Sequence, residues 1–306
     1  MQTDATSVTK PRKPLLAVLM SALLPGLGQL YNGEFHKAVW LFLGFALLTV
    51  PAIAIVALYL PVSWTSPTLF IGLVLLIALW IYGVINAWRR ARQQPDYVPK
   101  NWQSGGIYVL VFLVCSVIAL PLLSAQIRQH AVESMLVPSS SMEPNVLKLD
   151  MIFVDKRYNR IGATQGIKRG DIAVFIYPNA RNTYYIKRII GLPGEKVSIQ
   201  GAEVFINGKP LRLRTQPATD GLLVTETDGT ISWKVFWNNK KQQLPQTELH
   251  IPPGQVFVLG DNRTDSNDSR FFGTVPLQDV VGKARQVWFS AQGNQVRWER
   301  LGKLLH

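Results

Sequence analysis

The chain has 306 residues, of which 48% are hydrophobic and 17% charged, with 32 basic residues, 19 acidic residues and one cysteine. A mean hydropathy of +0.13 is unusual for a soluble domain, and the length allows about two domains. The lone Cys115 excludes an intrachain disulfide framework and a thiolate-rich metal site. Residues 1–125 contain eight basic and three acidic residues, against 24 and 16 in residues 126–306. We therefore predict an apolar domain over 1–125 and a polar domain over 126–306.

Three apolar stretches without a charged residue lie in the first domain, at residues 38–60, 68–88 and 107–124. Each is close to the 20 or so residues that a helix needs to cross a bilayer, so we predict three membrane spans. A fourth apolar run, residues 14–30, is interrupted by Pro25-Gly26-Leu27-Gly28, which favours a re-entrant or interfacial hairpin. This run is followed by further spans and contains no small-x-small cleavage site before polar residues, so we expect it to be retained.

Basic residues in the short loops predict the orientation of the spans. The loop over residues 89–103 contains four Lys or Arg residues, whereas the loop over residues 61–67 contains no charge. The positive-inside rule therefore predicts that the first loop is cytoplasmic and the second lies outside. With three spans, the N-terminus lies inside and everything after Ser124 lies on the outer side.

The first domain also contains Pro25-Gly-Leu-Gly-Gln-Leu-Tyr-Asn-Gly33. This segment resembles a small membrane-protein module in which a PGxGQxYxG turn joins two apolar helices, and the module has no agreed chemistry. Its glycines are not typical of a phosphate-binding loop, because no strand precedes them and no Lys-Ser or Lys-Thr follows.

After residue 150 the pattern changes to short β-branched runs separated by Gly, Pro, Asn and Asp, which predicts a mostly antiparallel β-domain. The predicted strands are residues 151–154, 172–176, 184–190, 196–200, 203–206, 255–259 and 281–290. Asn207-Gly208 is a strong hairpin signal between two of these runs. The polar stretch over about 215–249 is interpreted as a small cap or insertion.

Four segments of the second domain could carry chemistry. They are Val137-Pro-Ser-Ser-Ser-Met-Glu-Pro144, Arg169-Gly-Asp-Ile-Ala-Val174, Tyr184-Tyr-Ile-Lys-Arg-Ile-Ile-Gly-Leu-Pro-Gly-Glu195 and Gly260-Asp-Asn-Arg-Thr-Asp-Ser-Asn-Asp-Ser-Arg270. The four histidines are scattered without paired spacing, so a zinc hydrolase is not indicated and no metal or cofactor is expected. His130 and His250, the two that could serve a serine triad, are interpreted as surface residues. The basic surplus comes without a recognition helix or an aromatic RNA motif, which favours anionic lipid headgroups over nucleic acid.

A serine nucleophile without a histidine needs another base, and a lysine can serve once its amine is neutral. A free lysine titrates near ~10.4, and burial can lower this by about three units, which costs on the order of 4 kcal/mol. Lys187 is the best candidate, because Ile186, Ile189 and Ile190 can desolvate it. The local pattern also fits a solvated strand lysine. Arg188 stays charged and is interpreted as a salt-bridge residue.

In this order and spacing the four segments resemble the bacterial type I signal peptidases, which are membrane-anchored serine proteases with a Ser/Lys dyad. The resemblance covers roughly residues 125–290. It implies that Ser141 is the nucleophile and Lys187 its general base, whereas the residues alone leave Ser139, Ser140 and Ser141 as alternatives. It also implies an oxyanion hole formed by the Ser141 N–H and the Ser139 hydroxyl.

The same resemblance implies supporting and substrate-binding roles. Ser266 would hydrogen-bond and orient Lys187, Asp268 would support its loop with Arg270, and Asp261 would pair with Arg188. The residues expected to line substrate pockets are Pro138, Met142, Tyr185 and Ile186. Asn145-Val146 and Thr264-Asp265 depart from the common pattern of the family, and the three-span N-terminal domain is longer than the usual anchor.

The implied function is removal of N-terminal signal peptides from exported preproteins after small-x-small sites such as Ala-x-Ala. The implied location is the bacterial inner membrane, multi-pass, with the catalytic domain on the periplasmic side. The expected partners are preprotein signal peptides, membrane lipids and the export translocon. A pilus or conjugation-type processing peptidase with the same chemistry and a catalytically inactive membrane scaffold stay open as alternatives.

Overall fold

The computed structural model describes residues 9–60, 62–158, 166–238 and 246–305, without the side chains of residues 62, 63, 65 and 66. The chain divides into two compact units, Met1–Arg128 and Gln129–His306. The first unit is helical. The second is built mainly from antiparallel strands.

Among the described residues, the first unit and the start of the second contain seven α-helices. They are α1 (Pro14–Leu23), α2 (Leu27–Tyr31), α3 (Phe35–Leu48), α4 (Val50–Tyr59), α5 (Val62–Arg92), α6 (Gly105–Leu113) and α7 (Leu120–His130). A π-helical stretch, Val114–Ala119, joins α6 to α7 without a break in the helix. Three helical segments are long and apolar enough to cross a membrane, namely Phe35–Tyr59, Pro67–Arg92 and Gly105–His130. Each of the three predicted spans therefore coincides with a long apolar helical segment, the first to within one residue.

The apolar run over residues 14–30 is broken where the sequence indicates. Helix α1 ends at Leu23, and Gly26 adopts a φ of 98°, a left-handed conformation in which glycine avoids steric strain. Ten residues of α-helix extend about 15 Å, roughly half of the hydrocarbon thickness. The helix is thus too short to cross a bilayer by itself.

Two polar side chains of the PGxGQxYxG segment fix α2 against α5. The Gln29 amide donates a hydrogen bond to the Gly83 carbonyl at 2.7 Å, and the Asn32 amide donates to the Ala87 carbonyl at 2.8 Å. At Gly28 a Cβ atom would lie 2.3 Å from the Ala17 carbonyl oxygen, so only glycine allows this approach of α1 and α2. The motif is therefore a packing device for the helical unit.

The second unit contains fifteen strands among the residues that the structure describes. They are β1 (Val132–Leu136), β2 (Asp150–Asp155), β3 (Ile172–Ile176), β4 (Tyr184–Gly191), β5 (Lys196–Gln200), β6 (Glu203–Ile206), β7 (Lys209–Pro210), β8 (Arg212–Ala218), β9 (Gly221–Thr227), β10 (Ser232–Asn238), β11 (Thr247–His250), β12 (Gln255–Leu259), β13 (Val275–Pro276), β14 (Val280–Gln292) and β15 (Gln295–Val296). A short helix, α8 (Ser269–Phe272), lies between β12 and β13. All seven predicted strands are present within two residues of their expected bounds.

The strands form three sheets, and the largest one holds the site. Its order is β1-β2-β14-β3-β4-β12-β13, with β15 paired to β14. Smaller sheets have the orders β11-β5-β6-β7 and β10-β9-β8. Strand β4 lies between β3 and β12, and Lys187 on β4 pairs with Ala173 on β3. The lysine is therefore carried by an interior strand of the main sheet.

The predicted hairpin is present. Ile206 pairs with Lys209, and the two residues between them, Asn207 and Gly208, have φ values of 50° and 78°. Positive φ at both central positions is the geometry of a type I′ turn.

Most of the predicted cap, residues 215–249, consists of strands. Strands β8, β9 and β10 form a regular antiparallel meander that begins at Arg212, before the predicted start of the cap. Trp233, Val235 and Trp237 alternate into the core, whereas the residues between them are more exposed. This period of two gives β10 a buried face and holds the meander against the rest of the unit. Residues 239–245 of the predicted cap lie outside the described residues.

Candidate active site

A tight loop between β1 and β2 carries the serine cluster. Its ends are joined by backbone hydrogen bonds between Val137 and residues 149 and 150. The Met142 side chain is fully buried in the core beneath the loop, together with Val146. Because this anchor follows Ser141 directly, the position of the Ser141 backbone is set by core packing.

Ser141 and Lys187 meet although 45 residues separate them in the chain. The Lys187 Nζ atom lies 2.9 Å from the Ser141 Oγ atom and donates a second hydrogen bond to the Ile186 carbonyl at 3.0 Å. Both side chains are buried, with exposed fractions of 7% for Ser141 and 4% for Lys187. The geometry singles out Ser141 from the three serines that the sequence leaves open, because the bond to the lysine is made by its hydroxyl.

Burial lowers the pKa of the Lys187 amine from 10.5 to about 8. Desolvation is the largest cause, since the charged form loses its water. The carboxylates of Asp268 and Asp261 act in the opposite direction, and the Arg270 guanidinium adds to the lowering. A substantial fraction of the lysine is therefore neutral at mildly alkaline pH, as a general base requires.

Apolar groups are available around Lys187. Ile189 lies two residues along β4 and shares its face of the strand, and Ile186, Ile189 and Ile190 are all buried. The amine also lies 5.3 Å from the centre of the Tyr185 ring. Desolvation of the amine by the three isoleucine side chains stays a prediction.

Ser139 lies beside Ser141 on the exposed side of the loop. Its Oγ atom is 3.1 Å from the Ser141 Oγ atom. A hydroxyl at this distance from the attacking oxygen is within reach of the oxyanion that would form there. The middle serine, Ser140, points elsewhere, and its hydroxyl lies 3.5 Å from a carboxylate oxygen of Asp265.

The hydrogen bond expected between Ser266 and Lys187 is not formed. The Ser266 Oγ atom is buried without a hydrogen-bond partner, and the lysine donates to the Ile186 carbonyl instead. Ser266 nevertheless belongs to the site: a Cβ atom at Gly260 would lie 2.2 Å from the Ser266 Oγ and 2.6 Å from the Ser141 carbonyl oxygen. Glycine at 260 therefore allows the loop after β12 to approach the serine loop.

Two buried ion pairs support the site. Both join residues that the family resemblance implies to be partners. Asp268 accepts hydrogen bonds from Arg270 at 2.7 Å and from the Gly260 N–H at 3.0 Å. Asp261 accepts from the Nε and Nη2 atoms of Arg188, each at 2.7 Å. All four charged side chains are fully shielded from solvent. The carboxylates near Lys187 thus have arginine partners.

Asn145 and the Glu226–Arg263 pair also support the site, although the sequence gives them no supporting role. The Asn145 amide donates to Asp261 at 2.7 Å and to the Lys234 carbonyl at 2.6 Å. Glu226 on β9 forms a buried ion pair with Arg263, and Arg263 donates to the Gly260 carbonyl at 3.1 Å. These contacts link the β8–β10 meander to both catalytic loops. No local pattern signals the contacts of Asn145 with Asp261 and of Glu226 with Arg263, since the partners lie 116 and 37 residues apart.

The residues expected to line substrate pockets fall into two groups. Pro138 is exposed and Tyr185 is half-buried, with its ring stacked 4.1 Å from that of Tyr177. Met142 and Ile186 belong to one core cluster, with exposed fractions of 0% and 8%. The prediction for Met142 is therefore wrong, because a fully buried side chain presents no surface to a substrate.

The histidines described by the structure are exposed, His130 and His250 among them. Within the described ranges no group of three or more His, Cys, Asp or Glu residues could hold a metal ion. The chemistry available at the site is that of a buried hydroxyl beside a buried amine of lowered pKa.

An antiparallel β-unit that brings a buried serine hydroxyl to a desolvated lysine is an arrangement typical of a serine hydrolase. The model of the family described as signal peptidase, peptidase S26, matches residues 106–289, more than half of the chain. The chain belongs to this family. It is a serine protease, as predicted, and the non-enzymatic scaffold is not supported.

Individual relatives agree with the family model. The chain is 34% identical over 193 residues to a signal peptidase I of Pseudomonas fluorescens, covering 54% of this chain and 67% of that one. It is 34% identical over 200 residues to a signal peptidase I of Rickettsia typhi, covering 54% and 75%. Among solved structures, a signal peptidase I from Enterococcus faecalis V583 is 28% identical, with a TM-score of 0.29 and coverage of 39% of this chain and 97% of that one.

Proposed function

We propose that this protein removes N-terminal signal peptides from exported preproteins, cutting after small-x-small sites, with Ser141 as nucleophile and Lys187 as general base. The observation that carries the proposal is the 2.9 Å contact between a buried lysine of lowered pKa and a serine hydroxyl. Membership of the signal peptidase family supports the substrate class.

In the proposed reaction the cleavage segment lies extended along the protein as an added strand. The Ser141 Oγ attacks the scissile carbonyl carbon while its proton passes to the neutral Lys187 amine. The Ser141 N–H and the Ser139 hydroxyl stabilise the oxyanion. The tetrahedral intermediate then collapses, the C–N bond breaks, and Lys187 gives its proton to the leaving amine of the mature protein.

The acyl-enzyme that is formed carries the signal peptide on Ser141. Lys187, neutral again, deprotonates a water molecule that attacks the ester, and the proton returns to Ser141 as the signal peptide leaves. Met142 holds the serine loop from below, while the Asp268–Arg270 and Asp261–Arg188 pairs hold the surrounding loops. Every proton in this cycle is moved by side chains of the chain itself or by water.

We further propose that residues 1–125 form a three-span membrane domain of the bacterial inner membrane and that residues 126–306 form a periplasmic peptidase domain. Three apolar helical segments of sufficient length support the spans, and the Lys and Arg residues over 89–103 support the orientation. The partners in this proposal are signal peptides, membrane lipids and the export translocon. A protease tied to the membrane meets its substrates where their cleavage sites emerge.

The test is cleavage of a model preprotein in liposomes by the wild type and by the Ser141→Ala, Lys187→Ala and Ser140→Ala variants. We expect the wild type and Ser140→Ala to cut after a small-x-small site, identified by N-terminal sequencing of the product. The other two variants should be inactive. Cleavage at the same site by Ser141→Ala or Lys187→Ala would refute the dyad, and an inert wild type would refute the substrate class.

A further inference from the structure

A cavity of about 850 Å³ in the helical unit has no role in the proposed proteolysis. It is formed by α2, α3, α6 and the segments that precede α3 and α6. The PGxGQxYxG segment forms part of its wall, through residues that include Leu27 and Gly33. The volume falls within the range of sites that bind small molecules, about 300–1,000 Å³.

The cavity has a charged end and an apolar end. Its charged lining residues lie near the starts of two helices. Glu34 lies just before α3, Lys37 lies in the first turn of α3, and Lys100 lies before α6. Its lining residues further along the helices, such as Phe42 and Val111, are apolar. The first and third of three successive spans run in the same direction, so the charged residues of both helices lie at the same membrane face.

The apolar end is elongated. Ile107, Val111 and Cys115 line it at a spacing of four residues, which places them on one face of a continuous helix. At 1.5 Å per residue this face extends for about 12 Å. Such a surface has the length and chemistry to hold part of an acyl chain.

The charges at the other end suit a headgroup with both signs of charge. Glu34 Oε1 lies 2.8 Å from the Lys37 amine and 3.6 Å from the Arg90 guanidinium. The second carboxylate oxygen, Glu34 Oε2, is buried without a hydrogen-bond partner. Lys37, Arg90 and Lys100 give a cationic surplus for a phosphate, while the Glu34 side chain, 18% exposed, supplies a negative charge for an ammonium group.

We propose that this cavity binds one phospholipid with an ethanolamine headgroup, whose phosphate lies near Lys37 and Lys100 and whose ammonium lies near Glu34. One acyl chain occupies the face formed by Ile107, Val111 and Cys115. A signal peptide fits less well, because the basic segment that precedes its apolar core would meet the same cationic surplus. The inference rests on the membrane-spanning part of the proposed function and not on the Ser141–Lys187 dyad.

Three variants of the full chain separate the parts of this inference. Val111→Trp fills the apolar end. Val109→Trp is its matched control, since Val109 is on the same helix, is 58% exposed and does not line the cavity. Glu34→Gln removes the negative charge that would bind the ammonium group but keeps the size of the side chain.

The measurement is native mass spectrometry of the full chain from nanodiscs that contain phosphatidylethanolamine, phosphatidylglycerol and phosphatidylcholine in equal amounts. We expect one retained phospholipid in the wild type and in Val109→Trp, with phosphatidylethanolamine favoured over phosphatidylglycerol by about fivefold or more. Val111→Trp should retain at least tenfold less lipid. Glu34→Gln should retain a lipid but lose the preference for the ethanolamine headgroup.

Several results would overturn the inference. These are equal retention by Val111→Trp and Val109→Trp, a wild type that favours phosphatidylglycerol or shows no preference, and an unchanged preference in Glu34→Gln. A synthetic signal peptide that displaces the lipid from the wild type, and that Val111→Trp does not bind, would make the cavity a substrate site instead. Release of the wild-type chain from membranes by alkaline carbonate would instead refute the membrane-spanning proposal, whereas an integral chain without a retained lipid refutes this inference alone.

Discussion

Replacing Lys187 by methionine should stabilise the native protein at neutral pH while abolishing cleavage. The native state holds an amine whose pKa burial lowers from 10.5 to about 8. Below pH 8 the lysine is charged in both the native and the unfolded state, and the native state bears the desolvation penalty. At about 1.36 kcal/mol for each pKa unit, this penalty is about 3 kcal/mol. Methionine has similar length and carries no charge.

The sign of the effect follows from proton binding. Between pH 8 and pH 10.5 the unfolded state binds more protons at this lysine than the native state, so the stability of the wild type rises with pH. The stability difference between wild type and Lys187→Met should therefore move by about 2.5 kcal/mol in favour of the wild type from pH 7 to pH 10. Loss of the hydrogen bonds to Ser141 and Ile186 adds a constant to this stability difference, and that constant does not depend on the titration of the lysine.

The assay is thermal unfolding in one detergent at a series of pH values from 7 to 10. For a unit of this size, about 2.5 kcal/mol corresponds to a change of roughly 5–10 °C in the difference between the two Tm values. Lys209→Met is the matched control, because Lys209 is exposed in the hairpin after β6 and its replacement should give a difference independent of pH. A difference for Lys187→Met that is equally flat would show that the lysine is not desolvated, and the general-base assignment would lose its physical basis.

Four other changes test the site. Because neutral Lys187 is the active form in the proposed mechanism, kcat/KM should rise about 50-fold from pH 6 to pH 8 and level off above pH 9; a flat profile would exclude a lysine base. Removal of the hydroxyl in Ser139→Ala should lower kcat by about 10²–10³ with little change in KM, and a wild-type kcat would remove Ser139 from the oxyanion hole. Gly260→Ala should lower kcat/KM by about 10²-fold, since the added Cβ displaces the serine loop, whereas Gly166→Ala, where the Cβ meets open space, should match the wild type. Glu226→Gln should destabilise the protein by about 3–5 kcal/mol, because it leaves a buried arginine without its charge partner; an unchanged denaturation midpoint would contradict this.

The architecture could be predicted to the extent that local periodicity encodes it. Charge-free apolar runs mark the three long helical segments, and Pro25-Gly26 marks the break between α1 and α2. Strands with a buried face follow from alternation, and Asn207-Gly208 marks its hairpin. The strands of the β8–β10 meander are harder to recognise from the sequence although Trp233 and its neighbours alternate, because the polar outer face makes the stretch rich in turn-forming residues.

The site was predictable only in part, because its decisive contacts join distant segments. The sequence leaves Ser139, Ser140 and Ser141 equivalent, and the distance of 2.9 Å to Lys187 separates them. The contact between Asn145 and Asp261 spans 116 residues, so no spacing rule within a motif can reveal it. Met142 follows Ser141 directly, which predicts a substrate contact, whereas its full burial makes it the anchor of the loop.

The arginines around Lys187 explain how a lysine can be a base within reach of two carboxylates. Unpaired, Asp261 and Asp268 would hold the amine in its charged form, since each raises the pKa of Lys187. Each carboxylate instead has an arginine partner, and Arg270 itself lowers the pKa of the amine. Desolvation then outweighs the attraction of the carboxylates. The buried pairs therefore keep the loops of the site in place. They also offset the carboxylate charges that would otherwise keep the Lys187 amine protonated.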